Sequence, residues 1–257
     1  MLDWGFSYIT GVSSTLRLSL VIPCYNESGN LAALAAAVRP LVARDDVEVI
    51  LVDNGSTDDS PQRLAALLAE QPRLRSVRVP VNQGYGFGIL TGLRAATGDV
   101  LAWTHADLQT NPTDALVAFA QFAQFAQFAT AADPRRLFVK GRRRRRPLLD
   151  VAFTAGMTLF EGLMLGSWMV DINAQPTMFH RDVFAQWTDA PHDFSLDLYA
   201  YHRAIAGGLQ VQRIPVDFGT RTAGFGHNAS LANKLRLSRR TVAYTVALRR
   251  RLRESLR

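Results

Sequence analysis

A histidine, an aspartate and a glutamine alternate with single residues at His105, Asp107 and Gln109, directly behind the apolar run Val100-Leu101-Ala102-Trp103. The run predicts a short buried strand. Residues i, i+2 and i+4 of an extended segment share a face, so the three side chains would point at one spot. Carboxylate and amide oxygens suit a hard cation such as Mg²⁺ or Mn²⁺, and a nucleotide diphosphate would complete the shell. The plainer alternative is that Asp107 caps the following helix.

The elements that must position this cluster alternate along the first half of the chain. Leu18 to Pro23, Val47 to Val52, Arg75 to Val81 and Val100 to Thr104 read as strands; Leu31 to Val42, Pro61 to Ala69 and Gly88 to Ala96 read as helices. Such alternation predicts an α/β fold with a mainly parallel sheet covered on both faces, whose ligands bind beyond the carboxyl ends of the strands. Polar clusters fall at those ends: Tyr25-Asn26-Glu27 after the first strand, Asp53-Asn54-Gly55-Ser56 after the second, and His105 to Gln109 after the fourth. Later elements are a long apolar helix from Leu148 to Met169, a strand from Gln175 to His180, a helix from Phe194 to Ala206 and a strand from Leu209 to Phe218.

Composition excludes several classes. With 257 residues, 48% hydrophobic and 20% charged, the chain has the make-up of a globular protein and not of a disordered one. The single cysteine, Cys24, permits neither an internal disulfide nor a cysteine-based zinc site. The net charge of +7 sits in the tail: from Lys234 onward there are nine basic residues and one acid, so the body is near neutral. That tail, with Leu237, Thr241, Tyr244, Leu248, Leu252 and Leu256 at helical spacing, predicts a basic amphipathic helix that lies on an anionic membrane or packs on the protein body. Met1 to Ser14 lacks the pattern of a secretory signal. Val151 to Val170 is long enough to span a bilayer, but Glu161 at its centre marks it as a buried or interfacial helix. The tandem unit Gln-Phe-Ala over Gln121 to Ala129 has a period of three, so its phenylalanines drift around a helix surface. Its plain reading is an outer helix without chemistry; the alternative is a partner-binding patch. Gly84-Tyr85-Gly86-Phe87-Gly88 has the wrong spacing and the wrong strand for a dinucleotide fingerprint, so an oxidoreductase is disfavoured.

Four signals in order, Val21-Ile22-Pro23-Cys24-Tyr25-Asn26-Glu27, Leu51-Val52-Asp53-Asn54-Gly55-Ser56-Thr57-Asp58, Asn82-Gln83-Gly84 and His105-Ala106-Asp107-Leu108-Gln109, together resemble family 2 glycosyltransferases of GT-A fold, in particular the dolichol-phosphate mannose synthase branch and related polyprenyl-phosphate sugar synthases. The resemblance is strong over residues 18–112 and fainter over 137–228. It implies a GT-A domain over 1–228, with a nucleotide-binding half at 16–112 and an acceptor half at 137–228, followed by the basic helix at 229–257. It implies an inverting, metal-dependent enzyme in which cation and basic side chains take up charge growing on a leaving nucleoside diphosphate. Pro23, Tyr25, Glu27, Asp53 and Ala106 fall on the nucleotide side. Asp107 matches the second acid of the Asp-x-Asp metal signature and Gln109 a further ligand. His105 replaces the first acid; an imidazole ligates Mn²⁺ better than Mg²⁺.

In the second half the resemblance implies a phosphate grip in Lys140-Gly141-Arg142, with Arg142 favoured, and an acceptor-side turn at Asp171 to Pro176 that includes Gln175. Asp197 falls at the acid nearest the acceptor: a general base for a hydroxyl acceptor, or a structural carboxylate favoured by the dipole at a helix start. Arg221 matches a diphosphate-gripping arginine, and His227 is a further metal ligand or an exposed loop residue. The expected acceptor is a polyprenyl phosphate, with a glycan hydroxyl as the alternative, at the inner face of the cell membrane with peripheral attachment. A nucleic-acid-binding module leaves the strand-end acids unexplained, and a catalytically silent scaffold is prompted by His105 alone.

Overall fold

The computed structural model describes residues 16–128, 133–146, 148–219 and 231–254. The first half alternates as expected: β1 (Leu18–Cys24), α1 (Leu31–Val42), β2 (Val47–Asn54), α2 (Ser60–Glu70), β3 (Leu74–Val79), α3 (Tyr85–Ala95) and β4 (Val100–Trp103). There follow α4 (Asp114–Phe128), β5 (Leu137–Arg144), α5 (Leu148–Leu165), β6 (Thr177–His180), α6 (Arg181–Ala185), α7 (Leu196–Ala206), β7 (Gln210–Asp217) and α8 (Leu231–Glu254). The seven strands form one sheet in the order β3-β2-β1-β4-β6-β5-β7. β6 runs antiparallel to both β4 and β5, and the other pairings are parallel. This is the expected mostly parallel sheet flanked by helices.

β1 and β2 are buried on both faces, which explains their nearly unbroken apolar sequences. Alternate side chains feed two cores. Leu20, Ile22, Val49 and Leu51 pack with α1 and α4 residues, while Val21, Ile50, Val52 and Trp103 pack with α3 and α7 residues.

Two elements, β5 and α5, differ from the sequence expectation, and α4 follows it. β5 runs through Arg142, Arg143 and Arg144, because β7 pairs with it along its whole length up to Asp217. The arginine run is therefore strand, which charge alone does not signal. In α4, Phe122 is fully buried while Phe119 and Phe125 only border the core, as a period of three on a 3.6-residue helix requires. The long apolar helix stops at Leu165, where Gly166 adopts a φ of 67° and its N–H bonds the Gly162 carbonyl at 2.9 Å.

α8 packs along α5. Among the described residues no helix is long and apolar enough to cross a membrane, and the charge inside α5 has a local partner. The buried Glu161 carboxyl oxygens lie 2.9 and 2.8 Å from the Thr245 hydroxyl on α8, which is also 2.9 Å from the Thr241 carbonyl. One hydroxyl proton cannot serve both acceptors, so the set is complete when Glu161 carries a proton of its own. Burial pushes the Glu161 carboxyl from 4.5 up to about 7, although the Thr245 hydrogen bond opposes the shift.

A folded-state pKa above the unfolded one gives stability that is present below about pH 4.5 and lost as pH rises through about 7. Glu161→Gln, which keeps a neutral donor, is therefore expected to melt with the wild type at pH 4.5 and roughly 3 °C or more above it at pH 8. Thermal denaturation of both proteins at the two pH values checks this; an offset that does not change with pH would refute it.

Candidate active site

The loops after β1 and β2 are latched together. Asn26 sits at φ 54°, where its side-chain oxygen accepts from the Thr57 N–H at 2.8 Å and its amide donates to the Thr57 hydroxyl at 3.2 Å. The Glu27 N–H donates to Ser60 at 3.0 Å, and the Glu27 carboxylate accepts from Asn30 at 2.6 Å. Asp53 ends β2 almost wholly buried: Oδ1 accepts from the Ser56 N–H at 3.0 Å, and Oδ2 has no hydrogen-bond partner. The exposed Arg78 brings Nε to 3.4 Å of that oxygen without hydrogen-bond geometry. Glu27 and Asp53 both lie near Cys24, whose buried thiol is pushed up by burial and then by both carboxylates. Half-buried Pro23 and exposed Tyr25 flank it. At the turn, Gly55 (φ 73°) is required, since a Cβ there would strike the Val81–Asn82 backbone.

Beyond β4 the geometry corrects the extended-face expectation. The strand ends at Trp103, Ala106 and Asp107 form a turn, and Leu108 takes φ 56°, so His105, Asp107 and Gln109 do not share one strand face. A left-handed residue breaks the period of two. Asp107 is buried beside buried Ala106, and its Oδ1 accepts from the Gln109 N–H at 3.1 Å. It shapes this turn rather than capping α4, which starts at Asp114. Gln109 is tied to the end of β7: its carbonyl accepts from the Gly219 N–H at 2.8 Å and its side-chain amide donates to the Gly219 carbonyl at 3.4 Å. Among the described residues no group of three or more His, Cys, Asp or Glu could hold a metal unaided. The donor set here, one carboxylate, one imidazole and one amide, fits an ion shared with a ligand's own oxygens.

The most buried polar network of the site joins expected residues, Gln175, Asp197 and His105, to Tyr85 and Thr177, which sequence reasoning missed, and to Lys140, passed over in favour of Arg142. Lys140 on β5 is fully buried; its ammonium lies 2.6 Å from the Thr177 hydroxyl and 3.3 Å from Asp197 Oδ1. Asp197, 1% exposed in the first turn of α7, also accepts from Gln175 at 2.8 Å and, through Oδ2, from the Tyr85 hydroxyl at 3.2 Å. Tyr85 stacks on Phe194 with ring centroids 4.4 Å apart, and its oxygen lies 2.9 Å from His105 Nε2. Burial lowers Lys140 from 10.5 to about 8, against the Asp197 charge that holds it up. Burial, then the Asp197 charge, pushes the Tyr85 hydroxyl well up.

The resemblance places Lys140 in a phosphate grip, Lys140-Gly141-Arg142, with Arg142 as the favoured residue. The structure reverses that preference. Arg142 is exposed without a hydrogen bond or ion pair among the described residues, and Arg143 and Arg146 turn to Asp171. Burial would raise Asp171, but the Arg143 hydrogen bonds and charge outweigh it and hold the carboxyl below its ordinary range. Gly141 lets β5 approach the 171–176 turn, where a Cβ would strike the Gln175 carbonyl. Of the three glycines in the Gly84 to Gly88 run, only Gly84 (φ 110°) needs conformational freedom. Gly86 and Gly88 lie in α3 and make close approaches to the 191–193 loop and the Asn54 side chain. Arg221 and His227 lie outside the described residues.

The site thus gathers acids and a buried amine beyond the carboxyl ends of parallel strands, the arrangement of an α/β nucleotide-binding fold. The glycosyl transferase family 2 model matches residues 19–188, and the chain belongs to that family. It is 37% identical over 111 residues to undecaprenyl-phosphate 4-deoxy-4-formamido-L-arabinose transferase of Enterobacter sp. (strain 638), covering 41% of this chain and 33% of that protein. The transferase of the same name from Sodalis glossinidius is 40% identical over 104 residues, 38% of this chain and 31% of that one. The chain therefore matches about a third of the length of these curated relatives. Among solved structures, glucosyl-3-phosphoglycerate synthase from Mycobacterium tuberculosis, crystallised with Mn²⁺, UDP and glucosyl-3-phosphoglycerate, superposes with a TM-score of 0.65 at 20% identity. The match covers 91% of this chain and 80% of that one, and establishes the GT-A fold.

Removing the Asp197 charge strands a buried ammonium. Asp197→Asn is expected to cost about 3 kcal/mol of stability at pH 7. The deficit should narrow as pH rises through about 8, where Lys140 gives up its proton in the wild type as well. Denaturant titrations at pH 7 and pH 9.5 measure the difference; a constant deficit would mean Lys140 is not the cause.

Proposed function

We propose that this chain transfers a glycosyl group, with inversion, from a nucleoside diphosphate sugar to a polyprenyl phosphate. The carrying observation is the state of Asp197. A hydroxyl acceptor requires a base with a free carboxylate edge, whereas a phosphate acceptor is already ionised at neutral pH. Asp197 is buried and committed to Lys140, Gln175 and Tyr85, which favours the phosphate. The names of the curated relatives support the same acceptor class.

In this proposal Glu27 and Asp53 Oδ2, which holds an ion pair with Arg78 but no hydrogen bond, accept hydrogen bonds from the nucleoside, between Pro23, Tyr25 and Ala106. Asp107, with His105 and Gln109, would hold a divalent ion against the diphosphate, the ion supplying neutralisation of the leaving group's charge. Arg221 and Arg142 serve phosphate oxygens on the donor and acceptor sides, Gln175 positions the acceptor, and His227 is a candidate further ligand. Exposed Leu148, Val151, Phe153, Leu159, Leu163 and Trp168 on and just beyond α5, with the arginines of α8 beside them, suit peripheral attachment to an anionic membrane at its cytoplasmic face.

The test is a screen of nucleotide sugars with undecaprenyl phosphate and Mn²⁺, read as lipid-linked sugar. Asp107→Asn is expected to lower turnover at least about 100-fold without lowering the melting temperature, while an oligosaccharide acceptor gives no product. Transfer to the oligosaccharide but not to the lipid would overturn the acceptor. Stabilisation by oligonucleotides with none from nucleotides would overturn the whole proposal. Co-sedimentation with phosphatidylglycerol vesicles, weakened by Leu163→Glu and absent with phosphatidylcholine, checks the attachment face.

A further inference from the structure

The hydrogen bonds behind His105 run in one direction, set by a group that can only donate. The Lys140 ammonium donates to the Thr177 hydroxyl at 2.6 Å, so that hydroxyl turns its own hydrogen to Gln175 Oε1 at 3.2 Å. The Gln175 amide nitrogen consequently faces Asp197 Oδ1 at 2.8 Å and the Tyr85 oxygen at 3.4 Å. Asp197, as a carboxylate, only accepts, and takes the single Tyr85 proton on Oδ2 at 3.2 Å. The Tyr85 oxygen then has no hydrogen left for the imidazole 2.9 Å away. His105 Nε2 must donate to it.

We infer that Tyr85, itself aimed by Asp197, is a positioning residue that holds His105 as the Nε2–H tautomer and leaves the Nδ1 lone pair to bind a divalent cation. Nδ1 makes no hydrogen bond among the described residues, and Asp107 follows two residues later at the turn. A histidine that ligates through one nitrogen while the other is fixed by a carboxylate-backed partner is a common way of presenting an imidazole to a metal. The substitution of an acid by His105 is then an exchange of a hard oxygen donor for a nitrogen, and it shifts preference from Mg²⁺ toward Mn²⁺. Asp197 contributes by aiming Tyr85, in place of taking a proton from an acceptor. The metal half of the inference rests on the proposed use of a nucleoside diphosphate; the tautomer does not.

Two measurements separate them. In metal-free protein labelled with ¹⁵N-histidine, long-range ¹H–¹⁵N correlation should show His105 protonated at Nε2 and bare at Nδ1, and Tyr85→Phe should release it to a mixture of tautomers. With UDP and, separately, GDP present, Mn²⁺ binding followed by electron paramagnetic resonance should weaken roughly tenfold or more in Tyr85→Phe. In the His105→Asp background the Tyr85→Phe change should have no effect on Mn²⁺ binding, and the preference for Mn²⁺ over Mg²⁺ should fall. A His105 protonated at Nδ1 in the wild type overturns the positioning role, as does an equal loss of Mn²⁺ affinity in both backgrounds. The expected tautomer with no Mn²⁺ binding beside either nucleotide overturns the metal half and the nucleotide-sugar proposal with it.

Discussion

An ammonium group cannot stay charged inside a protein unless a carboxylate and hydrogen-bond acceptors accompany it. Lys140 sits fully buried on β5, and its needs draw together residues from β6, α7, α3 and the loops beside them. Thr177 comes from β6, Gln175 from the turn before it, Asp197 from α7, Tyr85 from α3 and, through Tyr85, His105 from beyond β4. Side-chain pairs also cross the parallel strands β1, β2 and β3, Ser19 with Glu48 and Glu48 with Arg75. The antiparallel insertion of β6 between β4 and β5 has the Lys140–Asp197 pair at its open end. The acceptor half is therefore built on a fully buried ion pair, whereas each ion pair across β1, β2 and β3 has an exposed arginine.

The two halves also differ in how they present acids. Asp53 ends β2 and Glu27 stands in the loop latched to it, with one carboxylate oxygen of Asp53 free of hydrogen bonds and facing only the exposed Arg78. Asp197 is saturated. A site with an open acid on one side and a closed one on the other suits a reaction in which a neutral nucleoside must be recognised and an already charged acceptor need only be admitted. The lowered proton affinity of Lys140 keeps this closed side near its own titration point, so its charge is sustained by Asp197 rather than by solvent.

The first half of the fold was legible because strands buried on both faces leave continuous apolar runs and helices between them leave alanine and leucine at helical spacing; β1, β2, α1 and β4 match the expectation within a few residues. Glu27, Asp53 and Asp107 stand at or just beyond the ends of such runs, as the pattern placed them, while the roles expected of them came from the resemblance. The mutual arrangement of His105, Asp107 and Gln109 was not legible, because a non-glycine residue in the left-handed region, Leu108, gives no strong compositional signal. The extent of β5 was hidden for another reason: strand formation by Arg142 to Arg144 is imposed by pairing with β7, a tertiary effect that overrides the run's appearance. Nothing local marks Lys140 for burial or Tyr85 for the site. Their role comes from a network whose members are up to 112 residues apart in sequence, and only the topology brings them together.

The triplet repeat in α4 bears on how this chain can change over generations. Phe122 is the repeat phenylalanine seated in the core, on a helix that rises about 1.5 Å per residue. Because the units are identical, gain of one more gives the same sequence wherever in the array it occurs. Phe122 can then keep its seat while the three added residues, about 4.5 Å of helix, fall beyond Phe125. Copy-number drift in the tandem array thus changes the connection between α4 and β5 and not the packed turns before it.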